Sequence, residues 1–164
     1  PIYVADLDLA PMVGAVAISL IGIFNILGSL LSGAFGQRYS KKLGLSGIYA
    51  LRALVLAIFL LTPKTTEVIY VFAATMGILW LSTVPLTAGL VAQVFGIRYM
   101  ATLYGFVFFS HQIGSFIGVW LGGFIHDTTG SYDLMWQAGI LMGLVAAVIH
   151  LPIDEAPVPR LQEA

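Results

Sequence analysis

The sequence predicts an all-α membrane protein with about five transmembrane helices, on three observations. Hydrophobic residues make up 59% of the 164 positions and charged residues only 9%, where soluble domains carry about 25% charged and at most about 50% apolar residues. Five apolar runs approach or exceed the about 20 residues that a helix rising about 1.5 Å per residue needs to cross about 30 Å of hydrocarbon. The connectors between these runs are short and chemically distinct, and none has room for a soluble domain.

The first run, residues 11–35, opens on Pro11, a residue suited to the first turn of a helix, and ends in the cationic connector "GQRYSKK". Residues 43–62 form the second, closed by "PKTTE" with its helix-ending proline; residues 67–95 form the third and meet the tight cationic link "GIRYM". The fourth, residues 99–125, passes through "HDTTGSYD", where Asp133 is placed as the N-cap of the fifth run, residues 134–151. Arg38, Lys41, Lys42, Arg98 and Arg160 fall on one side; Lys64 falls on the other, with Asp6, Asp8, Asp127 and Asp133. Lys and Arg are retained on the cytoplasmic side, so the first helix is expected to run inward and the C-terminus to be cytoplasmic. Tyr132 and Trp136 fall at the outer boundary, where amphipathic rings anchor well. The opening "PIYVADLDLAP" reads as an external loop after a preceding helix, so the chain is expected to be the back part of a longer protein.

Several function classes find no support. The chain has no cysteine and so no thiolate zinc site or cysteine nucleophile; no metal or cofactor is expected. A net charge of -1 and the absence of basic runs with interleaved aromatics argue against a nucleic-acid partner. "GSLLSGAFG" has glycines but lacks the Lys-Ser or Lys-Thr of a phosphate-binding loop.

The basic connectors also set a depth scale. At about 1.5 Å per residue, Asn25 lies about 20 Å above Arg38, Arg52 about 15 Å above Lys42, and Pro85 and His111 each about 20 Å above Arg98. Asn25 is the only asparagine, Arg52 is the cation deepest inside a span, and Ser82, Thr83 and Pro85 make a hydroxyl-rich helix break. The shared level is near the bilayer midplane, where polar groups need a partner or a water-filled cavity and where transporters bind solutes. Asn25, Ser82, Thr83 and His111 are therefore candidate solute-binding residues, and Arg52 a coupling or structural charge. Each has a plainer role: an interhelical hydrogen bond for Asn25, structural pairing for Arg52 (though no acid lies at its depth), and a packing hydrogen bond for His111. In helical projection His111 shares a face with Gly118 and Gly122, with Gly114 at its edge, a small-xxx-small series that suits close helix approach, static or sliding.

An intramembrane protease is one alternative. "GLSG" with Ser46 matches the GxSG of rhomboid serine proteases, and His111 stands two spans later as their histidine does. A Ser–His dyad needs contact within about 3 Å, yet Ser46 is only about 6 Å above Lys42 and His111 about 20 Å above Arg98. A non-transporting membrane interaction subunit is the other alternative.

Taken together, "GSLLSGAFGQRYSKK", "YALRALVLAIFLLTP" and "GSFIGVWLGGFIHDTTGSYDLMW" resemble the C-terminal half of a major facilitator superfamily transporter, especially members similar to monocarboxylate or oxalate:formate transporters. The signature loop Gly-x-Leu-x-Asp-Arg-x-Gly-Arg-Lys is matched by Gly33, Arg38, Lys41 and Lys42, while Gln37 replaces its acid and Ser40 its second glycine. The resemblance implies helices eight to twelve of a twelve-helix fold, preceded by the external end of helix seven, so that residues 1–164 form a C-terminal transmembrane bundle. It also implies alternating access around a cavity shared with an N-terminal bundle of the same protein, and secondary active transport of a small organic solute, anions among the candidates, with no enzymatic activity. The cavity-facing helices would carry Asn25, Ser82, Thr83 and His111, and Arg52 would be peripheral. A bacterial inner membrane is the expected location, and the chain alone is expected not to transport.

Overall fold

The structure, a computed structural model, describes residues 2–159; Arg160, one of the cations in the charge pattern, lies outside them. The described residues form seven helices and no strand: α1 (Ile2–Ala5), α2 (Pro11–Arg38), α3 (Lys41–Leu61), α4 (Thr66–Trp80), α5 (Thr83–Phe95), α6 (Ile97–Thr129) and α7 (Asp133–His150). Helices α2, α3, α6 and α7, and α4 with α5 taken together, are long and apolar enough to cross a membrane, so the five expected spans are present. The third expected span is two helices with a break between them.

Local chemistry explains the ends. Pro11 occupies the first turn of α2 and Arg38 its last, where a cation complements the exposed carbonyls. Ser40 caps α3 by accepting from the Leu43 N–H at 3.3 Å, and Thr65 caps α4 by accepting from the Val68 N–H at 3.4 Å. Lys64 folds back on the end of α3 and donates to the carbonyls of Phe59, Leu60 and Thr62 at 2.7, 3.3 and 2.6 Å. Gly130, which ends α6 at φ 69°, takes the left-handed conformation that a Cβ would oppose. Asp133 is not the N-cap of α7 but its first helical residue: its N–H donates to Ser131 Oγ at 3.0 Å, and its carboxylate falls in the first turn, where negative charge is favoured.

Two helix pairs make the body of the bundle, α2 with α4 and α3 with α7. Lipid is as apolar as leucine, so association between spans depends on close packing and interhelical hydrogen bonds. At the α2–α4 crossing both backbones are bare. A Cβ on Gly28 would run into the Ile78 carbonyl, and one on Gly77 would stand 2.9 Å from the Ile21 carbonyl oxygen. The α3–α7 seam uses Gly143, where a Cβ would stand 3.1 Å from that of Ala53, and the Ser46 hydroxyl, which donates to the Ala147 carbonyl at 2.7 Å. Near one end, Phe59, Phe72, Trp136 and Tyr3 pack ring against ring, with Phe59–Phe72 centroids 4.1 Å apart and Tyr3–Trp136 centroids 5.4 Å apart. Trp136, expected at the outer boundary, is thus part of a packed aromatic cluster. At the other end Leu45, Leu86 and Leu90 form a smaller buried cluster. Helix α6 packs mainly along α5, and none of its residues is buried.

The α2–α4 contact generates a prediction. Gly28→Ala should destabilise the protein by about 1–3 kcal/mol, the cost of overpacking a filled site. Gly22→Ala, on the same helix with nothing within 4 Å of the added methyl, should be neutral or slightly stabilising. Thermal unfolding of both variants in the same detergent checks the difference.

Candidate functional site

The break between α4 and α5 is the most polar place inside the bundle, and it follows from Pro85. A proline has no N–H for the Leu81 carbonyl, so the ladder cannot continue through it. The Val84 N–H takes that carbonyl instead, at 3.0 Å, in a tighter turn. Leu81 and Ser82 stay in right-handed helical conformations, and α5 restarts at Thr83. Ending α4 at Trp80 leaves its last carbonyls without intrahelical partners, a costly state inside hydrocarbon.

Two neighbouring spans supply what the break lacks. From α3, Arg52 donates to the Leu79 carbonyl through Nε at 3.1 Å and Nη2 at 2.6 Å, and its Nη2 also donates to the Trp80 carbonyl. Its guanidinium carbon lies 5.2 Å from the centre of the Tyr49 ring, which stacks in turn on His150 with centroids 5.1 Å apart. From α2, Asn25 Oδ1 accepts from the Leu81 N–H at 3.2 Å. The Ser82 hydroxyl donates to the Ile78 carbonyl and is buried against α2, where a Cβ on Gly28 would lie 2.7 Å from it. Half-buried Thr83 opens α5, and its carbonyl accepts from the Thr87 hydroxyl at 2.8 Å.

The residues assigned to one depth thus meet in part. Asn25, Arg52 and Ser82 converge on the break, with Thr83 beside it. His111 does not: it is exposed on α6, its nearest ring is Phe108 of the same helix at 6.1 Å, and among the described residues no hydrogen bond joins it to the break. Gly114 and Gly118 have no atom of another element within 4 Å of an added Cβ, while Gly122 faces Met135 of α7 at 3.5 Å. Ser46 is committed to α7 rather than to His111, so no Ser–His dyad forms among the described residues. Of the signature-loop residues, Gly33 faces Pro85, Arg38 closes α2, Lys41 Nζ donates to Gln93 Oε1 at 2.6 Å, and Lys42 reaches the segment after α7.

Among the described residues the bundle is cut by clefts, three of which are well formed. One of about 360 Å³ lies between α3 and α4, lined by Phe59, Phe72 and Thr75 among others. Another, of about 350 Å³, lies between α2, α3 and α4, with Gly28, Ser32 and Ser82 in its wall. The largest, of about 720 Å³, lies between α4, α6 and α7 beside Trp80, Gly118 and Trp136. All are lined almost wholly by apolar groups, because the polar groups near the midplane are turned onto one another. Among the described residues no three His, Asp or Glu side chains converge as a metal site would require.

Sequence reasoning missed the acceptors of Arg52 and the glycines that pack. The first had a signal: with no acid at its depth, the remaining acceptors for a buried guanidinium are backbone carbonyls, and those freed next to Pro85 are the nearest in depth. The second had a partial one: Gly28, Ser32 and Gly36 are small residues spaced four apart, as are Ala73 and Gly77, but spacing alone does not say which stripe meets which helix.

The family model of the Major Facilitator Superfamily matches residues 1–164, the whole chain. An alignment over 136 residues is 31% identical to the uncharacterized MFS-type transporter YcxA of Bacillus subtilis (strain 168), covering 79% of this chain and 33% of that protein. The chain therefore spans about a third of the length of this relative. No solved structure matches. A match over its whole length, with five membrane-length helices and no strand among the described residues, makes the chain a member of the Major Facilitator Superfamily.

Proposed function

We propose that this chain forms one wall of the pathway of a secondary active transporter, which moves a small organic solute, anions among the candidates, by alternating access. The observation that carries this reading is the jointed third span. A break in a membrane helix, held by polar groups from two neighbouring spans, is tolerated only where protein or a cavity satisfies the backbone, and such discontinuous helices accompany solute sites near the midplane. Membership of a transporter superfamily supports the reading and points to a non-enzymatic role.

In this reading the chain supplies helices eight to twelve, the C-terminal bundle, and an N-terminal bundle of the same protein supplies the facing wall. Asn25 holds the break through its oxygen and leaves its amide nitrogen for a solute. Thr83, at the start of α5, and His111, exposed on α6, are the other solute-facing candidates; Ser82 contributes through the packing that places Thr83. Arg52 is a structural charge, with its hydrogen bonds directed to backbone carbonyls. The basic connectors and the C-terminus lie in the cytoplasm of a bacterial cell.

Three measurements test these assignments on the full-length protein. A cysteine replacing Ser40 should react with an impermeant maleimide only from the cytoplasmic side, and one replacing Thr129 only from outside; the reverse pattern would overturn the orientation. In proteoliposomes, uptake of radiolabelled formate, oxalate, lactate or pyruvate should saturate, and His111→Ala should lower it about tenfold or more at unchanged abundance. Loss of abundance with transport per molecule intact would make His111 a packing residue, and no uptake of any of the four would remove the small carboxylates. Arg52→Met should cost about 2–3 kcal/mol of stability by leaving carbonyls without a charged donor, and Arg52→Lys should recover part of it. Equal stability of the two variants would contradict the capping role.

A further inference from the structure

The chain after α7 does not leave the bundle. Beyond His150 it turns back, the Ile153 N–H reaching the His150 carbonyl at 3.4 Å, and runs across the end that carries the basic connectors. There it meets two helix ends that are far apart in sequence. At the start of α3, the Lys42 N–H donates to Glu155 Oε1 at 2.9 Å and Lys42 Nζ donates to the Ile153 carbonyl at 2.7 Å. At the end of α5, Gln93 Nε2 donates to the Glu155 carbonyl at 2.9 Å, and the Val158 N–H donates to the Val94 carbonyl at 2.9 Å. Lys41 Nζ joins the two ends directly through Gln93 Oε1. Under these bonds Ile153 packs on the buried cluster of Leu45, Leu86 and Leu90. Leu86 and Ile48 also line the cleft of about 350 Å³ between α2, α3 and α4, so the apolar floor under Ile153 is shared with the wall of that cleft.

We propose that residues 152–159 are a strap that ties the start of α3 to the end of α5 and closes this end of the cleft, and that release of the strap lets the end open. Its parts have separate tasks. Glu155 places a carboxylate on the N-terminus of α3, where free N–H groups and the helix dipole favour an anion. Ile153 fills the apolar floor. Val158 makes a backbone bond that does not depend on any side chain. Lys41 and Lys42, which the resemblance assigned to a signature loop, are occupied here by the chain's own tail and by Gln93.

The environment of Glu155 makes the strap sensitive to acid. Burial alone would raise its pKa, but hydrogen bonds from the Lys42 N–H, the Ser40 hydroxyl and the Lys41 N–H, with the charge of Lys41, outweigh burial and hold the carboxyl below the ordinary glutamate range. The charged groups facing it are Lys41 and Lys42 of α3. From α5 it meets Gln93, which does not titrate, and on its own segment Asp154 accepts from the Ala156 N–H at 2.9 Å. A carboxyl depressed by folding contributes stability above its unfolded pKa and loses it as pH falls through the folded value. The carboxylate therefore contributes fully to the strap at neutral pH, and its share is lost only as pH falls below the ordinary glutamate range.

The test uses the full-length protein, purified in detergent, with Ser32→Cys as reporter. Ser32 is 6% exposed and lines the cleft; residues 1–164 have no cysteine, and any cysteine elsewhere in the full-length protein is first replaced by serine. A water-soluble maleimide should label this position slowly, and about tenfold faster when Glu155→Gln weakens the carboxylate or Val158→Pro removes the N–H given to Val94. Backbone hydrogen exchange over residues 40–44 should accelerate in the same variants. In the unsubstituted protein it should accelerate below the ordinary glutamate range, after correction for the intrinsic rate. The two substitutions act on different bonds, so one remains informative if the other disturbs folding, and the exchange measurement in acid needs neither. Unchanged labelling in both variants would overturn the strap as a closure even if exchange rose; unchanged exchange in acid would overturn the role of Glu155. None of these readouts depends on transport.

Discussion

A backbone carbonyl in hydrocarbon must find a donor, and the arrangement of α2, α3 and α4 follows from how the carbonyls beside Pro85 find theirs. Arg52 answers for two of them with a charged fork, and Asn25 secures the neighbouring N–H from the opposite side. The guanidinium suits this role because its donors lie in a fixed plane and its charge strengthens each bond, while Tyr49 covers its face. A lysine would offer a point charge, and a helix without the break would offer no acceptor. Residues with functional potential in isolation, a deep arginine and a single asparagine, are thereby committed to one another through the main chain of a third helix.

That commitment limits where a solute could be recognised. The clefts among the described helices are nearly apolar because the polar groups near the midplane are already spent on α4. Of the proposed solute-binding residues, what remains is the unused amide nitrogen of Asn25, the start of α5 at Thr83, and His111, which stands apart on α6. These groups do not make a closed site within this chain. They are polar points on surfaces that a second wall would complete, as the two-bundle reading requires. The strap at the basic-loop end acts at a different depth, on the start of α3 and the end of α5, so the joint and the strap constrain the third span at its middle and at its end.

Much of the fold was legible because hydrocarbon thickness is a strict ruler: run lengths and alternating cations located five spans and their short connectors to within a few residues. The same ruler placed Asn25, Arg52 and the Ser82–Pro85 break at one level, and the structure brings them together. It also placed His111 there, and here depth was insufficient, because depth says nothing about azimuth or about which helices are neighbours. Partnership between spans is decided by surface detail that a one-dimensional pattern does not hold. The pairing of α2 with α4 turns on Gly28 and Gly77, while Gly114, Gly118 and Gly122, a series no more regular than Gly28, Ser32 and Gly36, leaves two members facing open space among the described residues. The strap was illegible for a related reason: "PIDEAPV" reads as a polar tail, and nothing in it states that Glu155 will meet the first turn of α3.

Lipid explains why the stripe on α6 is the weaker guide. In water, a helix such as α6 with no buried residue would expose a large apolar surface at high free-energy cost, and exposure would signal a missing partner. In hydrocarbon that surface costs almost nothing, so apolar exposure of α6 carries little information about what it touches. Polar groups keep their meaning, because an unsatisfied donor or acceptor is as expensive for α6 as for α4. The informative question for each span is therefore where its polar atoms go. For α2, α3 and α4 the answer is each other; for α5 and the segment after α7 it is the strap. For His111 no hydrogen-bond partner lies among the described residues, and in the proposed reading its partner is a solute or the facing wall.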